Sequence, residues 1–302
     1  MEKSNRIMFY DQISRNKRNS IFLIIAIFII LILLGFVIGY ALGPDYFTIV
    51  MILAIIISLA YIWTGYYYSD KIALASVKAK PADRTHHRSL YNAVESMSLA
   101  SGLPMPKVYI MEDPQINAFA TGRDPKNAVI CVTTGALEKL NKDELEGIIA
   151  HEMSHIANFD IRFMTIVVVL VGMISIISEI FLRSLWFSGG RGDSRDGRAQ
   201  IVFILIGVAL AILAPIVTML VQLAISRKRE YTADATAVKF TRRPTGLINA
   251  LKKIQHDHPM KNHKISKSVA PLFLSDPFKK KVQNVFSTHP QIEKRIAVLE
   301  KM

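Results

Sequence analysis

Residues 141–155 read Asn-Lys-Asp-Glu-Leu-Glu-Gly-Ile-Ile-Ala-His-Glu-Met-Ser-His, and the rest of the chain is best read outward from them. Asn141 can cap a helix, with Glu144 in the reciprocal position of a capping box, and Leu145, Ile148 and Ile149 give that helix an apolar face. His151 and His155 are four apart, so both imidazoles leave one face about a turn from each other. They can bind one metal ion through neutral ring nitrogens. Glu152 lies beside them, within reach of a water at the metal without being a ligand itself. Zinc lowers the pKa of such a water toward ~7, so the carboxylate can accept its proton near neutral pH. The pattern His-Glu-x-x-His on a capped helix therefore predicts a catalytic zinc site, one ion per chain, rather than two surface histidines.

A catalytic zinc takes three protein ligands and keeps one position open. A third histidine six residues past His155 is excluded, because Asn158 and Ile161 stand where H-E-x-x-H-x-x-G-x-x-H needs Gly and His. Two glutamates remain. Glu179 sits in an apolar run with Arg183 one turn later. Glu230 opens the helix-like stretch 229–234, and Asp234 falls a turn beyond it on the same face, placed to hold a histidine's second nitrogen. Glu230 is favoured and Glu179 is the alternative. For Glu230 the plain reading is a surface ion pair with Arg227 or Lys228.

The surroundings of this helix are unusually apolar. The chain has 302 residues, 51% of them hydrophobic, and a mean hydropathy of +0.30, so part of it is expected in lipid. Four hydrophobic segments stand out: Ile21 to Leu42, free of charge; Phe47 to about Trp63; Phe163 to Trp186, carrying Glu179 and Arg183; and Ile201 to Ile225, interrupted by Pro215. The first two read as a helical hairpin turning at Gly43-Pro44-Asp45. In the second pair the charges and the proline imply a protein-facing or water-lined position. Lys3, Arg6, Arg15, Lys17 and Arg18 precede the first segment, and Lys71, Lys78, Lys80 and Arg84 follow the second. The catalytic domain and both termini are thus expected on the cytoplasmic side of the cell membrane in a multi-pass protein. Arg191, Arg195 and Arg198, near the outward loop, mildly violate that rule. The net charge of +13 is spread beside apolar runs rather than interleaved with aromatics, which argues for the lipid bilayer and against nucleic acid. The single cysteine, Cys131, rules out an intrachain disulfide and reads as a packed strand residue.

These pieces give an α+β, mainly helical integral membrane protein in five parts: a basic tail (1–18), a transmembrane hairpin (19–64), a first polar piece (65–162), a second hydrophobic hairpin (163–225) and a second polar piece (226–302). The two polar pieces form one interrupted domain. In the first, a helix is predicted over 86–100, stopping at Gly102. Strand-like runs follow over 108–111, 116–121 and 128–133, separated by Asp113-Pro114 and Asp124-Pro125 turns.

Asn117-Ala118-Phe119-Ala120-Thr121-Gly122, Thr134-Gly135-Ala136-Leu137, the segment 151–155, the segment 226–230 with Ala233-Asp234, and His289-Pro290 with Arg295 occur in an order that resembles the HtpX family. These are membrane-bound zinc endopeptidases related to the CAAX prenyl proteases. The resemblance implies a gluzincin-type protease fold, zinc on His151, His155 and Glu230, Glu152 as base, and a role in quality control of membrane proteins, with misfolded membrane proteins as substrates. It also implies that Asn117, Ala118, Phe119 and Ala120 form an edge strand to which an extended substrate adds its backbone. In the family's His-Pro-x-x-x-x-Arg element, His289 helps hold the developing oxyanion and Arg295 braces the site. Without the resemblance these two are a loop histidine and a surface arginine, and the strand is simply core. Two other classes remain open. A catalytically silent zinc-binding scaffold would need the ligands but not Glu152, and a transporter would rest only on Glu179 and Arg183. His86-His87, His256, His258 and His263 lack acidic partners at useful spacing and read as surface residues.

Overall fold

The computed structural model describes residues 9–167, 207, 227–257, 272–274 and 290–302. The third apolar segment beyond residue 167, nearly all of the fourth, Glu179, Arg183, the 188–197 loop, His258, His263 and His289 lie outside the described residues.

Two long helices, α1 (Phe9–Leu42) and α2 (Pro44–Tyr67), form the expected hairpin. The chain reverses at Gly43, whose φ of 104° suits a residue without a Cβ, and Pro44 starts α2 where its missing N–H leaves no bond unmade. Small residues let the helices approach: Gly35 lies on Ala54, and Gly39 on Phe47 and Val50. Phe22, Ile25, Ile29 and Leu33 of α1 and Ile49, Ile56 and Ile57 of α2 point outward and are exposed. So much contiguous apolar surface is unfavourable in water and neutral in lipid. The 24 residues of α2 give a helix of ~36 Å, enough to cross a hydrocarbon layer of ~30 Å. Among the described residues these two helices are the ones long and apolar enough to span a membrane.

The basic segment ahead of the first span is not a separate tail from Phe9 onward, because α1 runs through it without a break. Asn16 and Ser20 on that stretch are buried. Asn16 is held by the polar domain, and Ser20 bonds back to the Asn16 carbonyl within α1.

That domain contains α3 (Ser69–Ser76), β1 (Lys80–Pro81), α4 (Arg88–Ser101), β2 (Lys107–Met111), β3 (Ala118–Thr121), β4 (Val129–Thr133), α5 (Thr134–Lys139), α6 (Lys142–Ala157), a helical stretch over 160–167, α7 (Arg227–Thr241), α8 (Thr245–His256) and α9 (Ile292–Leu299). The molecule is mainly helical with one four-stranded sheet in the order β1-β2-β4-β3. The β2–β4 pair is parallel and the other two pairs are antiparallel. The strand expected from Ile116 starts at Ala118, because the N–H of Asn117 goes to the Thr133 hydroxyl at 3.0 Å instead of to a ladder. The helix expected from 86 starts at Arg88. Asp83 accepts the N–H of His86 at 3.0 Å, which forms a turn and leaves His86 exposed.

Strand β4 is buried along its whole length, and its side chains serve two cores. Ile130 and Val132 pack with residues of α4, α6 and α8. Val129 and Cys131 face a second cluster with Phe119, Phe163 and Val167, joined by Leu23 and Ile27 of α1. The sheet is therefore fastened to the membrane hairpin by ordinary apolar packing. Cys131 is fully buried, which pushes its thiol pKa up, in keeping with a packing role.

Helix α6 runs through the middle. Its start is the anticipated capping box: Asn141 Oδ1 accepts from the Glu144 N–H at 3.0 Å, and Glu144 Oε2 accepts from the Asn141 N–H at 2.8 Å. From Gly147 to Ala157 every residue is buried, with α4, α7, α8 and β3 around it. Gly147 touches the backbone of Gly246 and Leu247, while Gly246 touches the Asp143 carbonyl, so α6 and α8 cross with no side chain between them. Gly147→Ala would gain roughly 1 kcal/mol of helix propensity. The added methyl would meet α8 backbone rather than a flexible side chain, and such overpacking costs about 1–3 kcal/mol or more. The expected net result is a lower thermal unfolding midpoint for the detergent-solubilised variant. A raised midpoint would mean that the helices do not cross at this distance.

Candidate metal centre

The face of α6 that follows Gly147 carries His151 and His155 into a pocket closed by α7. Their rings stand at 88° with Nε2 atoms 3.2 Å apart. Glu230, in the first turn of α7, brings Oε2 to 3.5 Å from His151 Nε2 and Oε1 to 3.7 Å from His155 Nε2. The three donor atoms lie within 4.8 Å of one another, and all three residues are buried. Glu230 is thus not the surface ion-pair partner of Arg227 or Lys228 that its charge-rich neighbourhood suggested.

The other nitrogen of each ring is held by a carboxylate. His151 Nδ1 lies 3.0 Å from Asp234 Oδ1, and His155 Nδ1 lies 3.1 Å from Asp160 Oδ2. A neutral imidazole that donates from Nδ1 must present its lone pair at Nε2, so both lone pairs point toward Glu230. Arg295 Nη2 also lies 3.3 Å from His151 Nδ1. That atom already donates to Asp234 Oδ1 at 2.7 Å, and the shorter contact assigns the His151 proton to Asp234.

Arg295, on α9, is 1% exposed. Its Nε and Nη2 grip both oxygens of Asp234 at 2.9 and 2.7 Å, and its Nη1 is 3.5 Å from Glu230 Oε2. Spacing alone made it a surface residue, and only the resemblance put it in the site. Asp160 was missed altogether. It follows α6 by one short turn, and a carboxylate five residues past the second histidine was the signal available.

Charge and donor chemistry together test whether a metal ion fits. Four carboxylates, those of Glu152, Asp160, Glu230 and Asp234, are buried here. Among the described residues two guanidiniums face them: Arg295, and Arg229, whose Nε is 3.6 Å from Asp160. A divalent cation would offset the remaining negative charge. The same imbalance acts on the ligands. Burial and Arg295 oppose charge on His151, but the Asp234 and Glu230 carboxylates outweigh them and carry its pKa up to about 9. The His155 pKa is also raised, with the Asp160 and Glu230 carboxylates outweighing burial and the neighbouring imidazole. A cation entering must therefore displace protons. The two nitrogens are 3.2 Å apart and lie 3.5 and 3.7 Å from different oxygens of Glu230, close to the ~3.3 Å expected of ligands ~2.05 Å from a tetrahedral ion. Two nitrogens and a carboxylate facing both of them are a donor set that suits zinc.

Glu152 projects beside the ligands without belonging to them. Burial pushes its carboxyl pKa up, against the pull of His151 and His155 and a hydrogen bond from the Ala120 backbone. Ala120 lies on β3, the outer strand of the sheet next to α6. The outward side of β3 accepts one bond from the chain itself, Leu274 N–H to Ala118 O at 2.9 Å, and Phe273 packs edge-on against Phe119. The structure therefore brings His151, Glu152, His155, Glu230, Asp234 and Arg295 together next to Ala118, Phe119 and Ala120. His289 lies outside the described residues.

Residues 84–302 match the model of peptidase family M48. The chain is 46% identical over 296 residues to a protein described as Protease HtpX homolog from Caldanaerobacter subterraneus subsp. tengcongensis, covering 97% of each. It is 43% identical to the one from Thermoanaerobacter pseudethanolicus, covering 99% of each. It is 41% identical to that of Streptococcus uberis, covering 98% of this chain and all of the other. Among solved structures, Ste24p of S. mikatae is similar with a TM-score of 0.48 and 20% identity, over 89% of this chain and 61% of that one.

Replacing Glu230 by Ala removes a charged donor from the centre, and the remaining histidine pair is expected to lose zinc in a chelator competition titration. Asp234→Ala, which frees the His151 ring without removing a donor, is expected to weaken zinc by on the order of 10- to 100-fold. The reverse order would move the third ligand elsewhere.

Proposed function

The chain belongs to peptidase family M48, through the HtpX proteases, and from that membership of a membrane-bound metalloprotease we propose a gluzincin-type endopeptidase that holds one zinc ion on His151, His155 and Glu230 and uses Glu152 as its base. The observation that supports this most directly is the convergence of three buried donors with a non-ligating carboxylate at their side. When bound, the ion supplies Lewis acidity toward the scissile carbonyl and toward the attacking water. Glu152 removes a proton from that water and delivers it to the leaving amide nitrogen. A carboxylate whose pKa is raised by burial suits both directions of transfer. Asp234 and Asp160 keep the two rings in the ligating tautomer, and Arg295 holds Asp234 in place. His289 is proposed, on family resemblance, to assist the oxyanion.

Protein and peptide substrates are proposed to add their backbone along β3. Leu274 donates its backbone N–H to Ala118 O on this strand, so a substrate would take its place there. Main-chain pairing demands little of substrate side chains, which suits a quality-control protease acting on misfolded membrane proteins. Four spans and the division of the protease domain into 65–162 and 226–302 are part of the same proposal. The packing of α7 and α8 against α6 supports the second. Asn16, near the start of α1, touches the 158–160 turn, so that end of the hairpin and the metal centre lie on one side, which is proposed to be cytoplasmic. The alternative of a catalytically silent scaffold leaves Glu152 without a task.

Glu152→Gln is expected to retain stoichiometric zinc and lose peptide hydrolysis by on the order of 10²–10⁴-fold in detergent, since it removes a proton acceptor and no ligand. Undiminished cleavage would refute the base assignment, and wild-type protein that binds zinc without cleaving any protein substrate would favour the scaffold. Phenanthroline is expected to stop cleavage and added zinc to restore it. Reporters fused before residue 9 and after residue 302 are both expected to read cytoplasmic. Opposite sides would mean an odd number of spans.

A further inference from the structure

We propose that Asn16, at the base of the first membrane helix, is a positioning residue for the metal centre: it fixes the Asp160 carboxylate, which in turn fixes the His155 ring. This rests on the reading of His151, His155 and Glu230 as the metal ligands.

Asn16 Nδ2 donates to Asp160 Oδ1 at 2.6 Å and to the Asn158 carbonyl at 2.9 Å, so both hydrogens of its amide are used. Asn16 is 2% exposed and Asp160 is fully buried, so water does not compete for these bonds. The two carboxylate oxygens are divided between tasks: Oδ1 takes the Asn16 amide, and Oδ2 faces His155 Nδ1 at 3.1 Å. Among the described residues Arg229 Nε also lies near Oδ1, and at 3.6 Å it is an ion-pair partner rather than a hydrogen bond. With Asn16 gone, the carboxylate is free to turn toward Arg229 and away from the histidine.

The contact is a grip on a whole turn. Asn158, Phe159 and Asp160 link α6 to the helix over 160–167, and Phe159 has a φ of 58°, an unfavourable conformation for a residue with a side chain. Helix α1 meets each of the three: Asn16 bonds the Asn158 carbonyl and the Asp160 carboxylate, and the Lys17 ammonium lies 4.3 Å over the Phe159 ring. Ser20 fastens the gripping residue itself, donating to the Asn16 carbonyl at 2.8 Å. A neutral amide suits the place, because it offers two donors without altering the charge balance of the site. The membrane anchor is thereby part of the metal centre's support.

The test uses full-length protein in detergent at pH 8, with zinc affinity from chelator competition and ligand geometry from the visible spectrum of the cobalt-substituted protein. Asn16→Leu, which keeps the branched shape without the donors, is expected to lower zinc affinity on the order of 10-fold and to alter the cobalt bands. Asp160→Asn is expected to lower affinity at least as much, and the double variant no further than Asp160→Asn alone, because Asn16 acts through Asp160. A second pair of variants stands even if Asn16→Leu does not fold. Asn16→Asp sets two carboxylates together, and adding Asp160→Asn, harmful by itself, is expected to improve zinc binding by restoring an amide–carboxylate pair. Wild-type affinity and spectrum in Asn16→Leu, additive losses in the double variant, or a swap no better than Asn16→Asp would each overturn the proposal. Glu230→Ala in the same titration separates the two readings. If it keeps zinc, the ligand assignment has failed; if it loses zinc while Asn16→Leu does not, only the role of Asn16 has.

Discussion

Four carboxylates buried within reach of two imidazoles make a cluster that could not persist inside a protein without compensation, since each isolated buried charge costs several kcal/mol even after relaxation. Much of the architecture around α6 answers that requirement. Arg295 is drawn fully inside and gives two hydrogen bonds to Asp234. Arg229 is drawn to Asp160. Both histidines are biased toward taking up protons. A divalent ion held between the Nε2 atoms and Glu230 would add positive charge where the donors already point.

The supporting groups come from parts of the chain that are far apart: Asn16 from α1, Asp160 from the turn after α6, Asp234 from α7 and Arg295 from α9. None of them could be set by local structure. Each is set by packing between elements, α7 on α6, α9 on α7 and α8, and α1 on the turn after α6, and the glycine crossing of α6 with α8 shows how little slack that packing has. A displacement of one helix would therefore be felt as a rotated carboxylate and then as a tilted imidazole, which is why residues that never reach the reacting atoms still govern the site.

The sequence showed most plainly whatever depends on neighbours along the chain. The capping box at Asn141 and Glu144, the one-turn spacing of His151 and His155, the Gly43-Pro44 reversal and the strand that packs Cys131 are local signals, and each appears in the structure in the expected form. Glu230 and Asp234 were legible because they too sit one turn apart on a single helix. Arg295 and Asp160 were not, since their meaning lies in long-range partners; nothing in the composition around Arg295 announces a fully buried guanidinium. Asn16 was hidden for a further reason. It sits in a run of basic residues that reads as a solvated tail, and only the continuation of α1 to Phe9 carries it onto the 158–160 turn.

The edge strand shows how one geometry serves both folding and function. An outer strand with open N–H and C=O groups invites pairing with any extended chain, and proteins usually cover such edges. Here the cover over β3 includes Leu274, a residue far along the same chain, attached among the described residues by a backbone hydrogen bond to Ala118 and by the Phe273–Phe119 contact. A peptide seated on the same edge would exchange the Leu274 hydrogen bond for another of similar strength, so that exchange by itself adds little affinity. Because Ala120 lies both on this edge and against Glu152, a backbone aligned on β3 is brought within reach of the base by strand pairing alone. On the proposed mode of substrate binding, register on the strand, rather than recognition of a particular side chain, would determine which peptide bond lies at the metal centre.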